Sequence, residues 1–256
     1  MPILAAKPLV GREAAMAIDE FDVTGQNMEY KAKRDAAVID ATVFGDRFSY
    51  DLAGIQKASI EYKGFYGSGD AGYNQVVNRK FGQDSDVLMA VAPQGWGPMY
   101  DLTMQPSVIT KYDIDTKLKG AVDVDINAMA RGAVDDGFQL FAPTVPLTTA
   151  NSPITSLILD DTLITGATTA GCAVQLHVFS VSGTSASLSM VVQDSPDGTT
   201  WTPRLTLNAF TAPGKQRMTL GIGNTINQQV RAIATVTGTN AVFWPLLGFA
   251  RNVVYA

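Results

Sequence analysis

One cysteine and one histidine stand in a chain of 256 residues. Cys172 alone closes no disulfide framework. With His177 as the only imidazole, the sequence lacks the ligand sets of zinc sites and most nucleophile–base pairs. No apolar run is long enough to cross a bilayer: the most apolar late stretch, "AVFWPLLGFA", is short and contains Pro245. The opening "MPILAAKPLVGREAAMAIDEF" has no basic leader ahead of an apolar core, so no secretion signal is predicted and folding in a cytoplasm is expected. Charged residues make up only 17%, and acids outnumber bases by 24 to 19, which argues against gripping nucleic acid through phosphate neutralisation.

What is present is a β pattern in two compositional halves. Residues 1–140 hold 14 Lys/Arg and 20 Asp/Glu; residues 141–256 hold 5 and 4. Threonine shifts the other way, from 5 to 19. Such a change marks a boundary, and a Thr-rich, charge-poor half suits an all-β module. The expected division is an arm over 1–20 with a short helix in "REAAMAIDEF", a first domain over 21–142, a proline-stiffened linker over 143–154, and an antiparallel β-sandwich over 155–256.

Within the first domain, "IQKASIEYKGFY" alternates strictly. Lys57, Ser59, Glu61 and Lys63 share one parity and Ala58, Ile60, Tyr62 and Gly64 the other, as in a strand half open to water. Ahead of it, "EYKAKRDAAVID" predicts a charged loop carrying Lys31, Lys33, Arg34 and Asp35. Tyr73, Val76, Val77 and Phe81 recur at helical spacing after Asp70, a candidate N-cap. "SVITKYDIDTKLKGAVDVDINAMARG" predicts a hairpin about Gly120. Asp113, Asp115, Asp123 and Asp125 then fall on one face with Lys117 and Lys119, and Tyr112, Ile114, Val122 and Val124 on the other.

In the second half, "SVSGT" and "TVTGT" predict two similar hairpin turns, and "DSPDGTTW" a tight turn closed by Asp197 and Gly198. That last stretch lacks the acidic count of a calcium loop, and "GSGDAG" lacks the lysine of a phosphate loop. His177, on an alternating strand, and Cys172, beside Gly171, read as buried structural residues. No enzyme, cofactor or metal site is expected.

The run Thr42 to Tyr66, "TVFGDRFSYDLAGIQKASIEYKGFY", followed by a helix and an acidic hairpin, resembles the major tail protein of long-tailed bacteriophages, the subunit of the tail tube. The second half, from "AVQLHVFSVSGTSASLSMVVQDSPDGTTW" to "FARN", is similar to the β-sandwich appended to some tube subunits. The resemblance implies a tube-type β-sandwich or barrel with one short flanking helix, assembling as hexameric rings stacked into a tube. Its partners would be further copies of itself and the tape measure, tail terminator and tail tip proteins. DNA would pass through the lumen without specific binding, no membrane would be involved, and the protein would be found in the virion tail after assembly in the host cytoplasm.

With about four strands per subunit, about 24 strands spaced about 4.8 Å and tilted about 40° give a backbone diameter of roughly 48 Å, leaving on the order of 35–40 Å clear. A duplex passes through such an opening. The 108–130 hairpin, with Asp113, Asp115, Lys117, Lys119, Asp123 and Asp125, is the candidate lumen wall; the alternative is that this face looks outward. Lys31, Lys33, Arg34 and Asp35 are the candidate inter-ring loop. Other readings are the tube of a related injection machine or gene-transfer particle, and a carbohydrate-binding adhesion protein that stacks sugars on Trp201 or Trp244.

Overall fold

A computed structural model of the chain describes residues 14–40, 51–66, 73–82, 86–116, 122–160 and 166–251. Asp70, Lys117 and Lys119 lie outside them. The strands are β1 (Ala15–Ile18), β2 (Phe21–Asp22), β3 (Asn27–Asp40), β4 (Asp51–Phe65), β5 (Val87–Ala92), β6 (Asp101–Thr116), β7 (Val122–Ala130) and β8 (Asp135–Phe141). They continue as β9 (Leu147–Thr148), β10 (Ile154–Thr155), β11 (Leu159–Asp160), β12 (Cys172–Ser195), β13 (Thr202–Thr206), β14 (Gly214–Leu220) and β15 (Gln229–Arg251). One α-helix, α1 (Tyr73–Lys80), occurs among the described residues. The fold is mainly β, in sandwich-like sheets with this one short helix.

The chain divides into two compact units that interleave in sequence. The smaller comprises Gln26–Val87 and Pro106–Val134; the larger comprises Met1–Gly25, Leu88–Gln105 and Asp135–Ala256. This division departs from the one expected. Residues 143–154 are no free linker: β9 pairs with Val242 and Phe243, Leu147 is buried, and β10 pairs with Ile233 and Ala234. Nor is residues 1–20 an arm throughout. Residues 15–18 form a strand rather than a helix, fully buried and paired with β5 from Ala15↔Ala92 to Ile18↔Met89. Their run of small apolar residues suits a strand covered on both faces.

In the larger unit the two longest strands, β12 and β15, form an antiparallel ribbon from Cys172↔Arg251 to Ser195↔Gln229. Its halves have different neighbours. Cys172–Val178 takes β14 on its free side, and Leu247–Phe249 takes β8. At the other end β13 joins Val191–Asp194, while β10 and β11 join β15. Cys172–Val178 of β12 is buried at every position, and its last stretch alternates through Leu188, Met190 and Val192, the pattern of a sheet face covered on one side.

The ribbon corrects the expected turns at "SVSGT" and "TVTGT". Neither is a turn. Both are bulges inside continuous strands, placed opposite each other with Thr184 level with Thr239. In each, a glycine and the residue two further on take positive φ: Gly183 (104°) and Ser185 (51°), Gly238 (111°) and Asn240 (52°). A Cβ on Gly238 would lie 2.7 Å from the Ser185 carbonyl oxygen, and one on Gly183 2.6 Å from that of Asn240. The two motifs match because each bulge packs its glycine against the other strand's bulge.

The smaller unit is a four-stranded antiparallel sheet ordered β3–β4–β7–β6, carrying α1. Ile60 and Tyr62 of β4, and Val124, Ile126 and Ala128 of β7, are buried on one face, as are Val76 and Val77 of the helix. The Phe81 ring, just past the helix, sits 6.4 Å from that of Tyr112. The alternation expected of β4 is therefore observed, with Lys57 and Lys63 exposed on the other face.

Candidate functional site: the charged face of the four-stranded sheet

Residues directly opposite each other on paired strands share a face, so the register shows which charges meet. Across β3, β4, β7 and β6, one row is Glu29, Lys63, Asp125 and Asp113. The next is Lys31, Glu61, Asn127 and Lys111. Lys33 stands level with Ser59 and Met129, Asp35 with Lys57, and Asp115 with Asp123 and Phe65. All four predicted aspartates thus occupy one face, as expected.

Two differences follow. The segment Lys31 to Asp35 is no loop: it lies inside β3, paired residue by residue with β4. Its alternation places Lys31, Lys33 and Asp35 on the same face as the aspartates and Arg34, level with Ala58, on the opposite one. The face is also of mixed sign. Lys33 bonds Glu61, and Lys111 reaches Asp113 at 2.9 Å and Asp125 at 3.3 Å. The bond from Lys33 holds the Glu61 carboxyl below its usual range, and those to Asp113 and Asp125 raise Lys111.

Lys111 was absent from the predicted set. A bulge between Ile109, which is buried, and Lys111 turns the latter outward, with the Thr110 hydroxyl donating to the Asn127 carbonyl at 3.2 Å. Its odd spacing with Asp113 and Asp115 was the available signal. Among the described residues of this face, Glu29, Asp35, Glu61, Asp113, Asp115, Asp123 and Asp125 outnumber Lys31, Lys33, Lys57, Lys63 and Lys111.

The other singled-out residues play structural parts. His177 is fully buried: the Gln175 side-chain amide donates to its Nε2 at 2.7 Å, which leaves Nδ1–H to donate to the Asp19 carbonyl. Cys172 is buried, and burial pushes its thiol up to about 11. Asp197 caps its own turn, accepting from the backbone of Thr199 and Thr200 at 2.8 Å each, and these bonds hold its carboxyl far below the usual range. Trp201 has the Arg231 guanidinium 4.0 Å over its ring and donates Nε1–H to the Gly198 carbonyl. One ring face is thereby occupied from within the chain. A hollow of about 460 Å³ beside Gly183 is lined by Val181, Ser182, Ser185, Thr211 and Pro213, among others, with no ionisable side chain. No group of three metal-binding side chains occurs among the described residues.

No protein-family pattern and no curated protein matches the sequence. Solved structures do resemble the fold. A chain of the virion of a native gene transfer agent particle matches with TM-score 0.44 and 17% identity, over 50% of this chain and 98% of its own. The SPP1 tail tube matches with TM-score 0.42 and 11% identity, over 51% and 80%. The SPP1 Dit protein, described as a hub adsorption apparatus, spans more: 93% of this chain and 99% of its own, at TM-score 0.35 and 13% identity.

Proposed function

We propose that this chain is the subunit of a phage-type tail tube, in which six copies close their four-stranded sheets into a ring and rings stack around a DNA channel. One observation carries the reading: a four-stranded antiparallel sheet with a continuous charged face and an outer strand, β3, that among the described residues pairs with β4 alone. The outward edge of this fourteen-residue strand is a template for another strand. Direction also permits closure. The strands alternate, so β3 and β6 run oppositely, β6 also pairing with β8 and β5, and rotating one copy onto the next sets β6 antiparallel to the neighbour's β3.

The charged face then lines the channel, and the face holding Tyr62, Val124 and Ile126 lies against the subunit's own core. A wall with surplus carboxylates repels a duplex over about 8–10 Å and gives up no counterions to it. Self-association, the tape measure, terminator and tip proteins as partners, and residence in the virion tail follow from this reading. Negative-stain microscopy of the concentrated protein tests it: hollow tubes with six-fold end views are expected. Dispersed single particles that bind glycans would replace it with the adhesion reading.

A further inference from the structure

The larger unit buries one carboxylate between two groups that can each neutralise it. Asp19, in the turn between β1 and β2, is fully buried at a positive φ of 53°. Its carboxylate accepts from the Lys215 ammonium of β14 and from the Leu88 backbone N–H, the latter at 2.8 Å. Its carbonyl accepts from Nδ1–H of His177. Lys215 and His177 stand directly opposite each other on β14 and β12, so both reach Asp19 from one sheet face. They differ in access to water: Lys215 keeps 23% of its side-chain surface exposed, and the imidazole keeps none. Burial disfavours the charged ring most; Asp19 favours it, and Lys215 opposes it.

The other charges near the ring are engaged elsewhere. Arg217, level with Gln175 on β14, bonds Asp135 at 2.6 Å. Asp22 of β2 accepts from Thr24 and Trp96, and Glu20, next in the turn, is partly open to water. β5 and β15 present Met89 and Leu246, and Phe179 stacks on the ring; none of these carries charge. An acceptor also stands ready for a second ring proton. The Gln175 amide nitrogen donates to His177 Nε2 at 2.7 Å and to the Met89 carbonyl at 3.0 Å, leaving Gln175 Oε1 buried without a hydrogen bond. A half-turn of that amide brings Oε1 to Nε2, where a protonated ring needs it.

We infer that Asp19 is a counter-ion exchange switch: acid charges His177, which takes over neutralisation of the carboxylate, and the Lys215 ammonium is expelled to solvent. One anion and one cation make a balanced cluster. A second buried cation would leave an uncompensated positive charge away from water, which is costly. Two cations directly opposite each other on a sheet also repel. Lys215 has the flexible stem and the path to water, so it is the one that leaves. β14 is tied across by Lys215–Asp19 and by Arg217–Asp135; acid opens the first tie and keeps the second, unpinning the strand at its Gly214 end.

His177 is the only histidine, so its ring signals in nuclear magnetic resonance need no assignment. Full-length wild type and variants, each shown folded by circular dichroism, are titrated. Lys215→Met removes the competing cation and should tighten proton binding by His177 at least about tenfold. Asp19→Asn with Lys215→Met removes the carboxylate as well, and should bind the proton more weakly than wild type. Any other order overturns the exchange. Where Lys215→Met alone does not fold, the wild type and the double variant still give the order. Lys215 itself is followed in the wild type by reductive methylation with formaldehyde and cyanoborohydride, mapped by mass spectrometry against exposed Lys57. Its reactivity relative to Lys57 should rise at least about tenfold as the ring titrates. A constant ratio would show that Lys215 stays on Asp19, and a ring that gains its proton only with loss of tertiary structure would equally overturn the switch.

Discussion

His177 stays neutral in the folded chain because burial strips its charged form of water, an effect larger than the opposing pull of the Asp19 carbonyl and carboxylate; its pKa is lowered to about 4. The unfolded chain takes up a proton there near pH 6.5, while the folded chain refuses it until about pH 4. This contribution to stability is complete above pH 6.5 and is lost as pH falls from 6.5 to 4, on the order of 3 kcal/mol in all. Urea midpoints should fall across that window, and His177→Gln should flatten the decline; an equal slope in the variant would show that another group titrates. Gly238 makes a second test at this scale. Gly238→Ala forces a Cβ against the Ser185 carbonyl at φ 111°, and should cost at least about 2 kcal/mol. Gly166→Ala, at φ 84° with no atom within 4 Å, should cost only about 1 kcal/mol. Chemical denaturation of the two variants side by side measures the difference.

On the tube reading, β3 is the element expected to differ most between a free and an assembled subunit. Every second amide of an antiparallel edge strand points away from its partner. In dilute monomer those of Lys31 to Asp35 that face away from β4 should exchange rapidly, and in tubes they should be protected. Exchange equally fast in both states would show that β3 is not the docking edge. The same strand shows what the sequence could and could not tell. Its five-residue stretch of four charges reads locally as a solvated loop, yet both faces of an edge strand meet water, so charge costs it nothing there. The β4 alternation was legible because one face is buried and the other is not. The hairpin aspartates were legible for the same reason. That Lys31 and Lys33 join their face was not, because it depends on register with β4 and β7, distant in sequence. The N-terminal "AMAI" reads as helix by alanine content, and only its position against β5 makes it a strand. The glycine bulges of β12 and β15 looked like hairpin turns because positive φ is written with the same residues in both.

For the whole molecule, the interleaved units change what truncation should do. Leu246 and Ala250 pack in one core with Ala15, Ala17, Ala90, Ala92 and Leu102. Ending the chain at residue 154 opens that core, and the fragment should be insoluble or molten where a self-contained first domain would be folded; near-ultraviolet circular dichroism decides. On the tube reading, the charged face as a channel wall is testable too. Asp123→Lys with Asp125→Lys on the interior strand β7 changes each subunit by about four charges, so assembled variant tubes should retain duplex DNA at low salt and release it at high salt. Wild-type tubes should retain none. Retention by neither would mean that the face looks outward. The β12–β15 ribbon carries a mechanical consequence. Its rungs run from Cys172↔Arg251 to Ser195↔Gln229, so a pull between 172 and 251 peels them one at a time, whereas a pull between 172 and 229 loads them in shear together. In optical-tweezer experiments the first geometry should yield at low force with a pause at the interlocked glycines, and the second should hold to several times that force and then give way at once.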